Sequence, residues 1–208
     1  MTENPPRQQS LTADQTTGPS ETARTVARKG AEPSVEETRR LAVLQRLRDL
    51  LPGPQPYLTG ICRIAAQAVG ADAAGIAFVS DRFLYFAGRY GHLPDRDIRV
   101  FSLSDLDRRL WIVPDVRSLQ GANRVNSFNG KFASYRSLIA VPIQHEGQTV
   151  AILVCCSDAV RDSYSVEGKA CLQELSYLAE TLLSHEATLV CMSRTALAAV
   201  ERARRVDS

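Results

Sequence analysis

Apolar and polar residues change their period along the chain, and each change marks a new element. In "PSVEETRRLAVLQRLRDLL", Leu41, Leu44, Leu47 and Leu51 recur at helical intervals. Ser34 and Glu37 have capping-box spacing, so the helix starts there, and "PGPQP" stops it. Pro56 suits the first turn of a second helix, "PYLTGICRIAAQAVG". Its stripe is Leu58, Ile61, Ile64, Ala65 and Ala68, and Gly70 is its end. The period then falls towards two. "AAGIAFVSD" and "RFLYFAGRYG" predict an antiparallel strand pair about a tight turn at Ser80-Asp81. "DIRVFSL" predicts a weaker strand, "SDLDRRL" one helical turn, and "WIVPD" a short strand closed by Pro114. The stretch from Val116 to Arg136, rich in Gly, Asn and Ser, is too long for an ordinary connection and reads as functional or mobile.

The most apolar unit follows. In "TVAILVCC", Val150, Ile152, Val154 and Cys156 alternate with Ala151, Leu153 and Cys155, and both sets are apolar. Such a strand is central and covered on both faces. Its partner is "SLIAVPI", in which Pro142 removes a ladder donor and predicts a bulge or an unpaired position, with Gly147 in the turn between the two. From Ser165 to about Arg205 the pattern is helical again. Leu175, Leu178, Leu182, His185, Leu189, Met192, Ala196, Ala199, Ala203 and Val206 alternate three- and four-residue steps, a heptad seam that thins to alanine. This helix is expected to pack on its own domain first and on a second copy of the chain later.

Composition adds limits. The 208 residues suit one domain plus appendages, and a net charge of +2 gives no case for nucleic acid or an anionic membrane. No apolar run is long enough to span a bilayer, and the first twenty residues lack a secretory apolar core, so a cytoplasmic protein is expected. Residues 1–34 hold too few large aliphatics to offset their ordering entropy and read as a disordered tail. Residues 35–187 form the domain, and 188–208 a helical extension. Five cysteines without C-x-x-C spacing give no zinc site or disulfide framework, so Cys155 and Cys156 are expected as core fillers.

The order of elements, with "GADAAGIAFVSD", "WIVPDV" and "SLIAVPIQHEGQTVAILVCCSD" followed by "YSVEGKACLQELSYLAETL", resembles a GAF domain over residues 38 to 187. That resemblance implies an α+β fold: a central antiparallel GAF/PAS-like sheet of five or six strands, with the N- and C-terminal helices on one face. A small-molecule pocket would lie under loops on the other face. Its apolar walls would be Phe101, Trp111, Phe128, Phe132 and Tyr135, and its orienting groups Ser102, Ser104, Asn123, Asn126 and Arg136. Dimerisation would use Leu44, Leu47, Leu175, Leu178, Leu182, Leu189 and Met192.

The special chemistries of the family leave no mark. Its sulfoxide reductases cluster cysteines in the middle loops and its bilin carriers use a cysteine there, yet Ala71 to Val154 contains none. "NGKFASY" lacks the acidic pair of the cyclic-nucleotide signature, Asp115 reads as a turn cap, and His92, His145 and His185 are isolated. No catalytic residue, metal or cofactor is therefore expected. The expectation is a non-enzymatic sensory module, homodimeric, that binds an unidentified small molecule and signals to a partner protein in trans. The alternatives are a ligand-free docking scaffold with a self-plugged pocket and, more remotely, a haem or redox protein.

Overall fold

The computed structural model describes residues 34–81, 83–93, 96–98, 110–118 and 135–206. The expected N-terminal tail before Ser34, the turn in "SDLDRRL" and most of the Val116–Arg136 segment lie outside the described residues.

Helix α1 spans Val35–Leu50, and the Ser34 hydroxyl accepts the amide of Glu37 at 3.1 Å, one half of the expected capping box, while the Glu37 carboxylate is taken by Arg40. Helix α2 spans Pro56–Val69 and ends on Gly70 in the left-handed region, φ 63°. Its buried stripe is Leu58, Ile61, Cys62, Ala65, Ala66 and Val69, whereas Ile64, expected inside, is exposed because the sheet meets the helix one position round.

Among the described residues, six strands follow: β1 Ala73–Val79, β2 Phe83–Tyr90, β3 Arg96–Ile98, β4 Trp111–Val113, β5 Ser137–His145 and β6 Gln148–Ser157. They form one sheet in the order β3-β2-β1-β6-β5-β4, and every pairing is antiparallel. The fold is α+β, as the resemblance implies. Strand β6 lies between β1 and β5, and Leu153 stands opposite Ile76 on one side and Val141 on the other. Ile152 is 1% exposed and Leu153 0%, so both faces of the strand are covered.

One register detail departs from simple alternation. A bulge between Ile143 and Gln144 leaves Val150 as the extra residue of β6 and turns it onto the face of Ala151 and Leu153, not that of Ile152. Pro142 itself pairs with Ile152, two residues beyond the last position of β5 that β4 reaches, so the predicted irregularity lies one step further on.

Helix α3, Val166–Val206, closes the first face of the sheet with α1 and α2. The Ser165 hydroxyl caps it through the Gly168 amide at 2.9 Å, and Ser176 donates to the Pro142 carbonyl at 2.6 Å. Leu47, Leu58, Leu172 and Leu183 are the largest helical side chains in this core. Arg40 reaches through it. Its guanidinium donates to the carbonyl of Val79 at 2.6 Å and of Thr149 at 3.3 Å, and it clasps both carboxylate oxygens of Glu37.

The approach of α2 to β2 depends on Gly88. A β-carbon there would sit 2.6 Å from both the carbonyl carbon and Cβ of Leu58. Gly88→Ala is therefore expected to cost about 1–3 kcal/mol, since helix backbone would have to retreat. Urea unfolding measures this, and an unchanged midpoint would show that α2 is free to shift.

Candidate functional site

The second face of the sheet carries a separate apolar cluster built from alternate residues of the strands: Ala73, Ala77 and Val79 of β1, Leu84 and Phe86 of β2, Leu138 and Ala140 of β5, Ile152, Val154 and Cys156 of β6. Leu93, Val113, Val116 and Tyr135 complete it, and Trp111 packs partly buried against it. This is the face on which a ligand site is expected.

Of the ten pocket candidates, Phe101, Ser102, Ser104, Asn123, Asn126, Phe128 and Phe132 lie outside the described residues. Trp111, Tyr135 and Arg136 are described. Trp111 opens β4 opposite Ala140. Tyr135 is buried just before β5 and donates its hydroxyl to the His92 carbonyl at 3.2 Å, tying the start of β5 to the loop after β2. Burial, reinforced by Cys156 and Asp72, pushes its phenol up to about 12.

Arg136 is held from three sides. Its amide donates to the Ser157 carbonyl at 2.6 Å and its carbonyl accepts from Val116 at 2.7 Å. Its guanidinium forks onto Asp115, with Nη2 to Oδ2 at 2.7 Å and Nε to Oδ1 at 3.2 Å. Asp115 Oδ1 also accepts the Arg117 amide at 3.0 Å, which caps the 3-10 turn Val116–Ser118. The Arg136 hydrogen bond, helped by that amide, holds the Asp115 carboxyl below its usual range. Asp115 is thus the turn cap its position suggested and also the counter-charge of Arg136.

Two residues of this face went unmarked in the sequence. Phe86 and Leu93 lie over Gly75, whose missing β-carbon would be 2.6 Å from the Phe86 ring and 2.8 Å from Leu93. The signal was present in β2, where Leu84 and Phe86 alternate with Phe83 and Tyr85.

The cysteines divide between the faces. Cys156 belongs to the second-face cluster, and Cys62 and Cys155 to the helical core. Burial pushes Cys62 and Cys156 up to about 12 and Cys155 well above the usual thiol value. These thiols stay protonated in the folded chain at a pH where the unfolded chain ionises them. Stability is then complete below the ordinary thiol pKa of about 8.5 and is lost as pH rises from there towards 12. A melting temperature that is level to about pH 8.5 and falls steeply above it is the expected result. A flat profile to pH 11 would contradict it. Among the described residues, no group of three His, Cys, Asp or Glu side chains could hold a metal ion. His145 meets the Ser184 hydroxyl at 3.0 Å.

The residues expected at a dimer face separate into two sets. Leu44, Leu47 and Leu175 are buried in the protomer's own helical core, since α1 and the first turns of α3 lie flat on the sheet. Leu182 is partly buried against that core. Leu178, Leu189 and Met192 are exposed, the last two at 60% and 64%, in company with Tyr177 and Val200. No described helix is long and apolar enough to cross a membrane.

No family model matches the chain. No curated protein matches it. Solved structures do. The free methionine-R-sulfoxide reductase of Neisseria meningitidis is 18% identical with a TM-score of 0.51, covering 77% of this chain and 96% of its own. The type II enzyme of Thermoplasma acidophilum is 19% identical with a TM-score of 0.48, over 68% of this chain and 94% of its own. The chromophore-binding domain of a bacteriophytochrome from R. palustris is 11% identical with a TM-score of 0.48, over 78% and 64%. The expectation that the chain is not an enzyme is corrected here: the Neisseria meningitidis protein of similar fold is named as a reductase, so missing middle-loop cysteines were too narrow a ground for excluding catalysis. What the likeness establishes is architecture, and the chain has a GAF-like α+β fold.

Proposed function

We propose that this protein is a sensory or regulatory module that binds a small molecule over the second face of its sheet and passes the event to a partner protein through α1 and α3, acting as a homodimer. The observation that carries this reading is the division of labour along α3. Its first half is committed to the sheet through Leu172, Leu183 and Ala187, while its second half continues with Leu189, Met192 and Val200 bare. A helix fixed to a ligand-bearing sheet at one end and sticky at the other is suited to carry a shift outwards. Arg194 supports the coupling, since it donates to the Asp49 carbonyl of α1 at 3.1 Å and joins the two helices.

A second reading is a dimeric docking scaffold with no small ligand, and it draws on Phe86 and Leu93, which fill the space above Gly75. The two readings part in a thermal-shift screen of the full chain against purines, cyclic nucleotides, amino acids, free methionine sulfoxide and haem. Methionine sulfoxide is included because similarly folded proteins are named as its reductases. At a hundredfold excess over Kd, the ligand class is expected to raise the melting temperature by about 5–10 °C. No shift with any class would leave the scaffold reading standing.

A further inference from the structure

On the helical side of the sheet, an open cleft of about 410 Å³ lies between the last turn of α1, the α1–α2 loop and the strands β1 and β2, and Phe86 of the second-face cluster also contributes to its lining. A second bulge borders it. Between Ile76 and Ala77 the register of β1 against β2 shifts, leaving Ala87 as the extra residue of β2. The Ala87 carbonyl accepts the Gln55 amide at 2.7 Å, which pins the loop beside the small Ala87 side chain. Leu51, Phe78 and Ala87 give the cleft an apolar floor, and Pro52 and Pro54 a stiff wall.

At its rim the Arg48 guanidinium stacks 3.9 Å above the centre of the Tyr85 ring. Among the described residues, Arg48 has no carboxylate or carbonyl partner, so its planar fork keeps its donors available. Asp49 stands next to it on the rim and accepts from Gln45 at 2.8 Å. One fork over an apolar floor matches one carboxylate with a hydrophobic body. The Asp49 charge disfavours a dianion such as a phosphate monoester. The Asp49 carbonyl is the group that Arg194 of α3 holds, so an occupant would sit at the junction of the two helices.

We infer that this cleft binds a small monocarboxylic acid with an apolar or aromatic body, its carboxylate on Arg48 and its body on Phe78, Tyr85 and Ala87. Amide NMR titration of the full chain with phenylacetate, indole-3-acetate and hexanoate tests it, with phenylacetamide and phenyl phosphate as controls. At least one acid is expected to saturate below about 10 mM, with shifts concentrated at residues 51–55 and 85–88. Arg48→Gln, which lies on the surface side of α1, is expected to weaken that acid by at least about tenfold, and the amide and phosphate controls to bind as poorly. If none of the acids saturates, or if Arg48→Gln binds as well as the parent, the inference is wrong.

Discussion

Arg40→Met is expected to lower stability by about 3–5 kcal/mol near neutral pH, more than any other single charge change on the domain. Arg40 is 5% exposed and holds the carbonyls of Val79 and Thr149, at the end of β1 and the start of β6. Its removal strands the Glu37 carboxylate, whose side chain is only 16% exposed, and leaves two strand-end carbonyls short of a donor. The double variant Glu37→Gln with Arg40→Met removes the stranded charge and is expected to lose less than the single variant. Denaturant unfolding of the pair separates the effects. A loss below about 1 kcal/mol for Arg40→Met would mean that α1 needs no anchor there.

The second large effect concerns association. If the proposed homodimer forms through α3, Leu189→Glu with Met192→Glu is expected to raise its dissociation constant by at least about a hundredfold. Both side chains are largely bare in the protomer, so folding has little to lose. Each would place a carboxylate in the apolar seam of a two-helix contact, where like charges meet across the axis. Sedimentation equilibrium reads the dissociation constant, and an unchanged melting temperature of the monomer confirms the fold. A double variant that dimerises as tightly as the parent would move the interface away from α3.

The helices, the strand order of faces and the central position of β6 were legible because burial on a flat sheet or under a helix imposes a local period. Ser34, Gly70 and Ser165 were legible as caps for the same reason: each acts within a few residues of itself. Arg40 was not. Its partners Val79 and Thr149 lie 39 and 109 residues away, and in "ETRRLAV" it reads as one more residue of a solvated face. The β1–β2 bulge escaped, and the β5–β6 irregularity was expected beside Pro142 but not its effect on Val150. Val150 changed sides, and Ala87 was set into the lining of the cleft beside α1, because a single inserted residue alters no composition and little periodicity. Leu44 and Leu47 were assigned to a partner when the protomer's own sheet uses them, since an apolar helical stripe carries no mark of what will cover it.

Of the pocket candidates, only Trp111, Tyr135 and Arg136 are described. Tyr135 and Trp111 stand on the second face, as the apolar-wall argument required, but Arg136 is engaged with Asp115 twenty-one residues earlier, a pairing no spacing rule announces. The remaining candidates fall in residues 101–104 and 123–132, outside the described part of the chain.

Trp111 is the only tryptophan in the chain, and it borders the second-face cluster. A ligand found by thermal shift should therefore be titrated while Trp111 emission is followed, with Trp111→Phe as the silent control. Occupancy of the second face predicts a saturable change in emission whose midpoint matches the calorimetric Kd. A ligand that saturates the protein by calorimetry, binds Arg48→Gln as tightly as the parent and leaves Trp111 emission unmoved would contradict the assignment of that face as the sensing site.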